Sequence, residues 1–289
     1  MNCLRNQTIA QEIEVIVVSD GIDDATEQLM RKLPTSNSQL PRNFQYIVIE
    51  KAQQGVARNR GVERASAPLC LFISDDIFLV PEACEKHVKV HSDQRAASSE
   101  QRNREDSLLT ADSWPLTAAL GYTTWDPSIE VTDVMRWLER TGWQFGYSKI
   151  ERYAHGFLPR DSQHQFTYTS NISIPTEIAR RYPFREDVTL YGWEDVEWGL
   201  RLRDAGVRLY YEPDAIGHHH HHVTLEDSLA RMETLGRSVV AVSRMNPELD
   251  RLPRGWKMRA YQFLSYLPTM RGRHAKVFLK GIAKGQDGM

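Results

Sequence analysis

The chain is expected to fold as an α/β protein, with a mixed, mainly parallel central sheet flanked by helices and a helical C-terminal extension. Three observations predict this. Short apolar runs rich in β-branched or bulky residues recur at 15–18, 44–50 and 69–73, the pattern of strands buried on both faces. The stretch Tyr191-Gly192-Trp193-Glu194-Asp195-Val196 opens a helix in which Trp193, Val196 and Leu200 share one stripe. From Val223 onward the chain turns helical and basic. The expected division is therefore a domain over 1–222 and a basic helical extension over 223–289.

Composition narrows the function classes. A hydrophobic content of 41% and a charged content of 26% suit a globular protein of one large domain or one and a half. A net charge of -2 excludes general nucleic-acid binding by bulk electrostatics. Cys3, Cys70 and Cys84 form no ligand-like cluster and leave an odd count, which suits a reducing cytoplasm. No uninterrupted apolar run is long enough to span a bilayer.

In chain order, Cys3 to Gln7 reads as the end of a helix. The first strand ends in Asp20-Gly21, and an acid at the carboxyl end of a parallel strand lies where α/β sheets bind ligands. A helix over 25–33 and a polar loop over 34–42 lead to the second strand. Gly55 then opens a helix through Ala65 that carries Arg58 and Asn59. Arg58 offers a planar fork of donors to phosphate or a pyrimidine edge, and a solvated basic helix start is the alternative. The third strand ends in Ser74-Asp75-Asp76. Two adjacent carboxylates there suit a hard cation such as Mg²⁺ or Mn²⁺, or else form a solvated acidic turn.

A helix over 81–91 is expected to give way to a mobile polar loop over 92–106. A strand over 116–122 and a helix over 132–140 follow. The aromatic segment 143–157 either lines an acceptor cleft or is core. Asn171 lies in a strand over 166–174, and a further strand over 207–212 stops before Pro213. The five histidines 218–222 are internal, and in an extended segment only alternate rings face one way. They supply metal ligands or form a partly exposed polar segment. Thr224 with Asp227 three residues on marks a helix start. Between 251 and 289 stand nine Lys/Arg against one acid, interleaved with Trp256, Tyr261, Phe263, Leu264 and Leu267. That mixture fits peripheral contact with an anionic membrane surface, or a helix pair with a wet basic face.

The order strand-Asp-Gly, Gly-x-Ala-Arg-Asn-x-Gly, strand-Ser-Asp-Asp, Ser-Asn-x-Ser, Gly-Trp-Glu-Asp-x-Glu, then histidines resembles the family 2 glycosyltransferases of GT-A fold. The likeness covers about residues 1–240. It implies an inverting, metal-dependent transferase in cell-envelope glycan synthesis. The donor would be a nucleotide sugar, with UDP the default nucleotide. The acceptor would be a glycan, a lipid-linked molecule or a small molecule, with no nucleic acid involved. By the same resemblance Asp20, Arg58 and Asn59 bind the nucleoside base, Asp75 the ribose or sugar, and Asn171 lies near donor and acceptor. Asp76 holds the metal with His219 or His221. Asp195 is the general base, and Glu194 orients the acceptor or braces the helix.

One departure stands out. The family opens with an apolar strand and a Pro-x-Tyr-Asn-like turn, of which only the piece at Cys3–Gln7 has a counterpart here. The absent strand would sit between those ending at Asp20 and Ser74, leaving two inner edges unpaired and the base pocket incomplete. The expectation is an N-terminally truncated chain of low stability and weak donor binding, which a longer chain would correct. The rival reading is a catalytically inactive relative that acts as a binding protein. A dinucleotide-binding oxidoreductase ranks lower, because no Gly-x-Gly-x-x-Gly follows a strand.

Overall fold

The computed structural model describes residues 2–32, 43–105, 115–187 and 191–287. The expected class is borne out: strands and helices alternate around a central sheet, and helices close the chain. The elements are α1 (Asn2–Arg5), β1 (Glu14–Asp20), α2 (Asp24–Lys32), β2 (Asn43–Ile49), α3 (Gln54–Arg64), β3 (Leu69–Ile73), β4 (Ile77–Leu79), α4 (Ala83–Glu105) and β5 (Thr117–Trp125). They continue with α5 (Asp133–Thr141), β6 (Gly156–Phe157), β7 (Asn171–Pro175), α6 (Thr176–Arg181), α7 (Glu194–Asp204), β8 (Arg208–His219), α8 (Leu225–Met245), α9 (Gly255–Ser265) and α10 (Met270–Asp287). The expected loop over 34–42 lies outside the described residues.

The strands divide into two sheets. β1 and β2 form a parallel pair. The larger sheet runs β3-β7-β5-β8-β4, with β6 also on β8. Among the described residues, β1 and β3 each pair on one edge only, and neither ladder continues into the other sheet. This explains a correction to β1: of its seven residues only Val15 is buried, because a two-stranded ribbon has too few neighbours to cover both faces. β7, between β3 and β5, is buried along its whole length.

Two further boundaries differ from expectation. α4 continues to Glu105 where a polar loop was expected from 92. That stretch holds neither Gly nor Pro and is rich in Gln, Arg, Ala and Glu, which favour helix even when solvated. β8 does not stop at Glu212. Opposite β5, Gly121 faces Glu212 and Tyr122 faces Ile216, so residues 213–215 bulge out of the ladder and accommodate Pro213. The strand then resumes and carries His218 and His219. The aromatic segment after α5 is largely core: Tyr147 is 4% exposed and its hydroxyl donates to the Gly121 carbonyl at 2.9 Å.

α7 is covered on two sides. Its expected stripe of Trp193, Val196 and Leu200 packs on Val242, Met245 and Leu249. The other face sends Trp198 into the main core, stacked on Phe184 at 4.6 Å and edge-on to Phe72 at 5.7 Å. α8 starts at the expected capping box: the Asp227 amide donates to Thr224 Oγ1 at 3.1 Å and the Thr224 amide to Asp227 Oδ2 at 3.0 Å. α8 and α10 cross in close contact. A Cβ on Gly236 would lie 2.2 Å from the Phe278 carbonyl, and one on Gly281 would lie 2.0 Å from that of Glu233.

α4 is tied to β7 by a buried polar chain. His87 faces Asn171 Oδ1 through Nε2 and Ser173 Oγ through Nδ1, each at 2.9 Å, and His91 Nε2 reaches the same hydroxyl at 2.9 Å. Asn171 Nδ2 donates to two carbonyls, so its Oδ1 must accept from His87 Nε2–H. His87 Nδ1 is then an acceptor for the Ser173 hydroxyl, which in turn accepts from His91. The chain is complete with His87 neutral. Burial lowers the His87 pKa to about 4. Burial, then repulsion from His87, lowers that of His91 to about 3. Both values lie below the unfolded value, so the unfolded chain binds protons first as pH falls. Stability is full above pH ~6.5 and is lost toward pH ~4, by about 1.4 kcal/mol per pH unit for each ring. Urea unfolding between pH 7.5 and 5 should show this loss, and His91→Gln should remove about half of the pair's share. An unchanged slope in the variant would mean His91 is already charged in the fold.

Candidate active site

Several chain segments meet at one end of the larger sheet. Ile73 faces Asn171 across the β3–β7 ladder, so Ser74-Asp75-Asp76 leaves the sheet where residues 167–170 enter it. Ile77, just beyond that turn, pairs with His219 at the end of β8.

The turn is closed by the Ile77 amide donating to the Ser74 carbonyl at 3.2 Å. Asp75 is exposed and Asp76 half-buried. The backbone of Asp76 grips the histidine tail, since its carbonyl accepts from the His220 amide at 2.7 Å. Its Oδ2 lies 2.9 Å from His219 Nε2 and 3.6 Å from His221 Nδ1. The two rings stack at 5.5 Å, and Trp125 stacks behind His219 at 5.4 Å. Burial pushes the Asp76 carboxyl up, but the His219 hydrogen bond and the charges of His219 and His221 outweigh it and hold it below the usual carboxylate range. As strand alternation requires, His220 points the other way. Its Nδ1 meets Asp126 Oδ2 at 2.7 Å and its ring stacks on Phe78 at 4.8 Å.

Asp76, His219 and His221 each offer a ligand atom, all within 4.8 Å of one another. Asp76 Oδ1 and His219 Nδ1 are buried without a hydrogen-bond partner. A carboxylate with two imidazoles and spare donor atoms fits a divalent cation, and the imidazoles favour Mn²⁺ over Mg²⁺. The structure thus brings both candidate histidines to Asp76.

The acid pair sits at the start of α7. Gly192 precedes it with φ +75°, and a Cβ there would lie 2.3 Å from Leu235 Cδ2 on α8. Trp193 Nε1 donates to the Leu235 carbonyl at 3.2 Å, so α8 props the turn that presents the acids. Asp195 does not cap its own helix. Its Oδ1 accepts from the Thr169 hydroxyl at 2.7 Å and its Oδ2 from the Thr169 amide at 3.2 Å, while its carbonyl accepts from Thr167 Oγ1 at 2.6 Å. Glu194 is more enclosed. Burial and the neighbouring Asp195 charge raise its pKa, with Arg58 opposing, and its Oε2 has no hydrogen-bond partner.

Arg58, expected at the nucleoside base, stands beside the acid pair. Its Nη1 lies 3.6 Å from Glu194 Oε1 and 3.7 Å from Asp195 Oδ1, and its guanidinium covers the Phe184 ring. It offsets the repulsion of two adjacent carboxylates. The remaining expected residues do not join this cluster. Asp20 accepts from the Ala52 amide at 2.7 Å and pairs with Lys51 at 3.5 Å, contacts local to the β1–β2 pair. Asn59 is 5% exposed, and its amide clamps Phe184 N and O and the Glu186 carboxylate. Asn171 is fully buried, donating to the Tyr122 and Ala215 carbonyls at 3.1 and 2.7 Å while facing His87. Both N–H donors of each asparagine are used within the fold, and both side chains are buried.

Sequence reasoning missed Thr169, Thr167, Asp126 and the supporting Leu235. Asp126 had a signal, since it follows the end of a strand as Asp20 and Asp76 nearly do. The threonines had none, because their partner is 26 residues from Thr169 and 28 from Thr167.

A model of glycosyl transferase family 2 matches residues 1–148, just over half of the chain. The validoxylamine A glucosyltransferase of Streptomyces hygroscopicus subsp. jinggangensis is 25% identical over 228 residues, which is 74% of this chain and 49% of that protein. Glycosyltransferase AglE of Haloferax volcanii is 26% identical over 227 residues, 76% of this chain and 60% of that protein. The chain thus spans about half the length of the curated relatives it matches. A crystal structure of S. aureus TarS aligns with 98% of this chain and 40% of that one, at a TM-score of 0.48 and 14% identity. By the match over its N-terminal half, the chain belongs to glycosyl transferase family 2.

Proposed function

We propose that this chain is an inverting, metal-dependent glycosyltransferase. It would move a sugar from a nucleotide-sugar donor, with UDP the first nucleotide to test, to a hydroxyl of a glycan, lipid-linked or small-molecule acceptor. The observation that carries the reading is the meeting, at one sheet end, of the Asp76 and histidine cluster with the Arg58-braced acid pair. The catalytic machinery falls within 1–222, and 223–289 supports it through α8.

Asp195 takes the proton of the acceptor hydroxyl. The oxygen then attacks the anomeric carbon from the face opposite the nucleotide, the bond to the diphosphate oxygen breaks, and the configuration inverts. Thr169 holds Asp195 in place through two donors, which fixes the base without needing the substrate to order it. Glu194, whose pKa is raised by burial and by the Asp195 charge, can orient the acceptor by hydrogen bonding. Asp76, His219 and His221 would hold the cation, which when bound neutralises charge on the departing diphosphate. Asp75 is exposed beside them and is free to meet the ribose or sugar.

Calorimetric titration with UDP, with and without Mn²⁺, tests the donor site. Binding should require the metal and vanish in Asp76→Ala. Metal-independent binding, or none from a folded sample, would favour an inactive binding relative. The base is tested by UDP release from whichever sugar donor the chain accepts. Asp195→Asn keeps an oxygen for Thr169, so UDP affinity should hold while kcat falls about 10²- to 10⁴-fold. A smaller loss than in Glu194→Gln would exchange the two roles.

A further inference from the structure

None of the residues of α9 is buried, and it carries large aromatic side chains into solvent. Trp256 is 75% exposed, Phe263 68% and, just past the helix end, Tyr266 86%. Leu267 is also exposed. Positions 256, 259, 263, 266 and 267 recur at helical spacing, so they share one face. The opposite side does the packing, with the Tyr261 ring 5.6 Å from Phe278 on α10.

The charge around this face has one sign. Arg259 lies within the stripe, and Arg271, Arg273 and Lys276 are exposed on the adjoining α10. Residues 251–286 contain no acid. Of the other cations of the region, Lys257 pairs with Asp250, and Lys280 and Lys284 with Glu233, while Arg254 donates to Ser243 and Arg251 covers the Trp193 ring. Among the described residues, no carboxylate pairs with Arg259, Arg271, Arg273 or Lys276. No described helix is long and apolar enough to cross a membrane.

We propose that α9 and the turn into α10 form a docking surface for an anionic lipid bilayer. Tryptophan and tyrosine suit the headgroup boundary, where an apolar ring and a polar edge are both accommodated. Phe263 adds apolar depth, and the arginines and lysine meet anionic headgroups. The basic rim argues against a second copy as the occupant, because a two-fold contact would bring these cations against themselves. None of these residues belongs to the acid pair or the histidine cluster, so the inference does not depend on the sugar-transfer reading. If that reading holds, it favours acceptors that are lipid-linked or membrane-bound.

The test is co-sedimentation of the full chain with vesicles of phosphatidylcholine alone, or containing 30% phosphatidylglycerol (about one lipid in three, an anionic surface). Binding should be at least about tenfold stronger to the anionic vesicles and weaken severalfold in 0.5 M salt (roughly a 3–4 Å Debye length). The triple substitution Trp256→Ala, Phe263→Ala, Tyr266→Ala should reduce it about tenfold, as should Arg259→Glu with Arg273→Glu. These side chains are exposed, and an unchanged thermal midpoint would show that the variants fold. Should the triple variant unfold, Trp256→Ala alone, read by the vesicle-induced shift of tryptophan fluorescence, replaces it. Equal binding to both vesicle types, or binding untouched by the substitutions, overturns the proposal. So does a concentration-dependent dimer that the triple substitution abolishes, which would assign the face to a second copy.

Discussion

The geometry of the sheet end depends on one buried amide. Asn171 binds two carbonyls with its nitrogen, that of Tyr122 on β5 and that of Ala215 in the β8 bulge. Inside a bulge the ladder offers those carbonyls nothing, and each one left unpaired in the core would cost about 1–3 kcal/mol. The amide therefore ties β5 to the bulge, in which three residues loop out between Glu212 and Ile216. That number decides the phase of the strand that follows. One residue more or fewer would turn His219 and His221 away from Asp76 and aim His220 at it. A buried amide thus braces the turn that decides which imidazoles face Asp76.

The same economy governs the acid pair. Two adjacent carboxylates at a helix start repel, and here three different elements hold them. α3 supplies Arg58, the segment before β7 supplies Thr169, and α8 props Trp193 from behind. The extension over 223–289 is therefore part of what positions the site. α8 is in turn pinned by its crossing with α10, where glycines let the two backbones approach. Contact between the α9–α10 face and a surface would load the helix that supports Glu194 and Asp195.

What the sequence revealed and what it concealed divide along a physical line. Local signals read true: the strand ending at Asp20, the Ser74-Asp75-Asp76 turn, the Thr224 capping box and the one-sided stripe of α7. Alternation in an extended chain also foretold that only some histidines face Asp76. Long-range pairing stayed hidden. Arg58 was expected at a base and stands over carboxylates 136 and 137 residues away, which nothing near Arg58 announces. Asn59 and Asn171 were expected at a ligand by resemblance to the family. Both instead satisfy buried backbone. Pro213 read as a stop, because a bulge that tolerates proline is a property of the neighbouring strand as much as of its own.

α3 is what relates the two sheets. Its face toward β1 includes Gly61, close to Val18. Glu14 at the start of β1 accepts from the Ser66 and Ala67 amides just past the end of α3. On its other side Asn59 clamps Phe184, whose ring stacks on Trp198 of α7. Arg58 projects from this helix to the acid pair. Asp20, at the end of β1, is therefore held relative to Asp195 through one helix and not through a continuous ladder. Hydrogen-bonded strands resist sliding, whereas a packed helix with few polar anchors can shift more easily. A donor spanning Asp20 and Asp76, as the proposed reading would have it, would bridge both sheets.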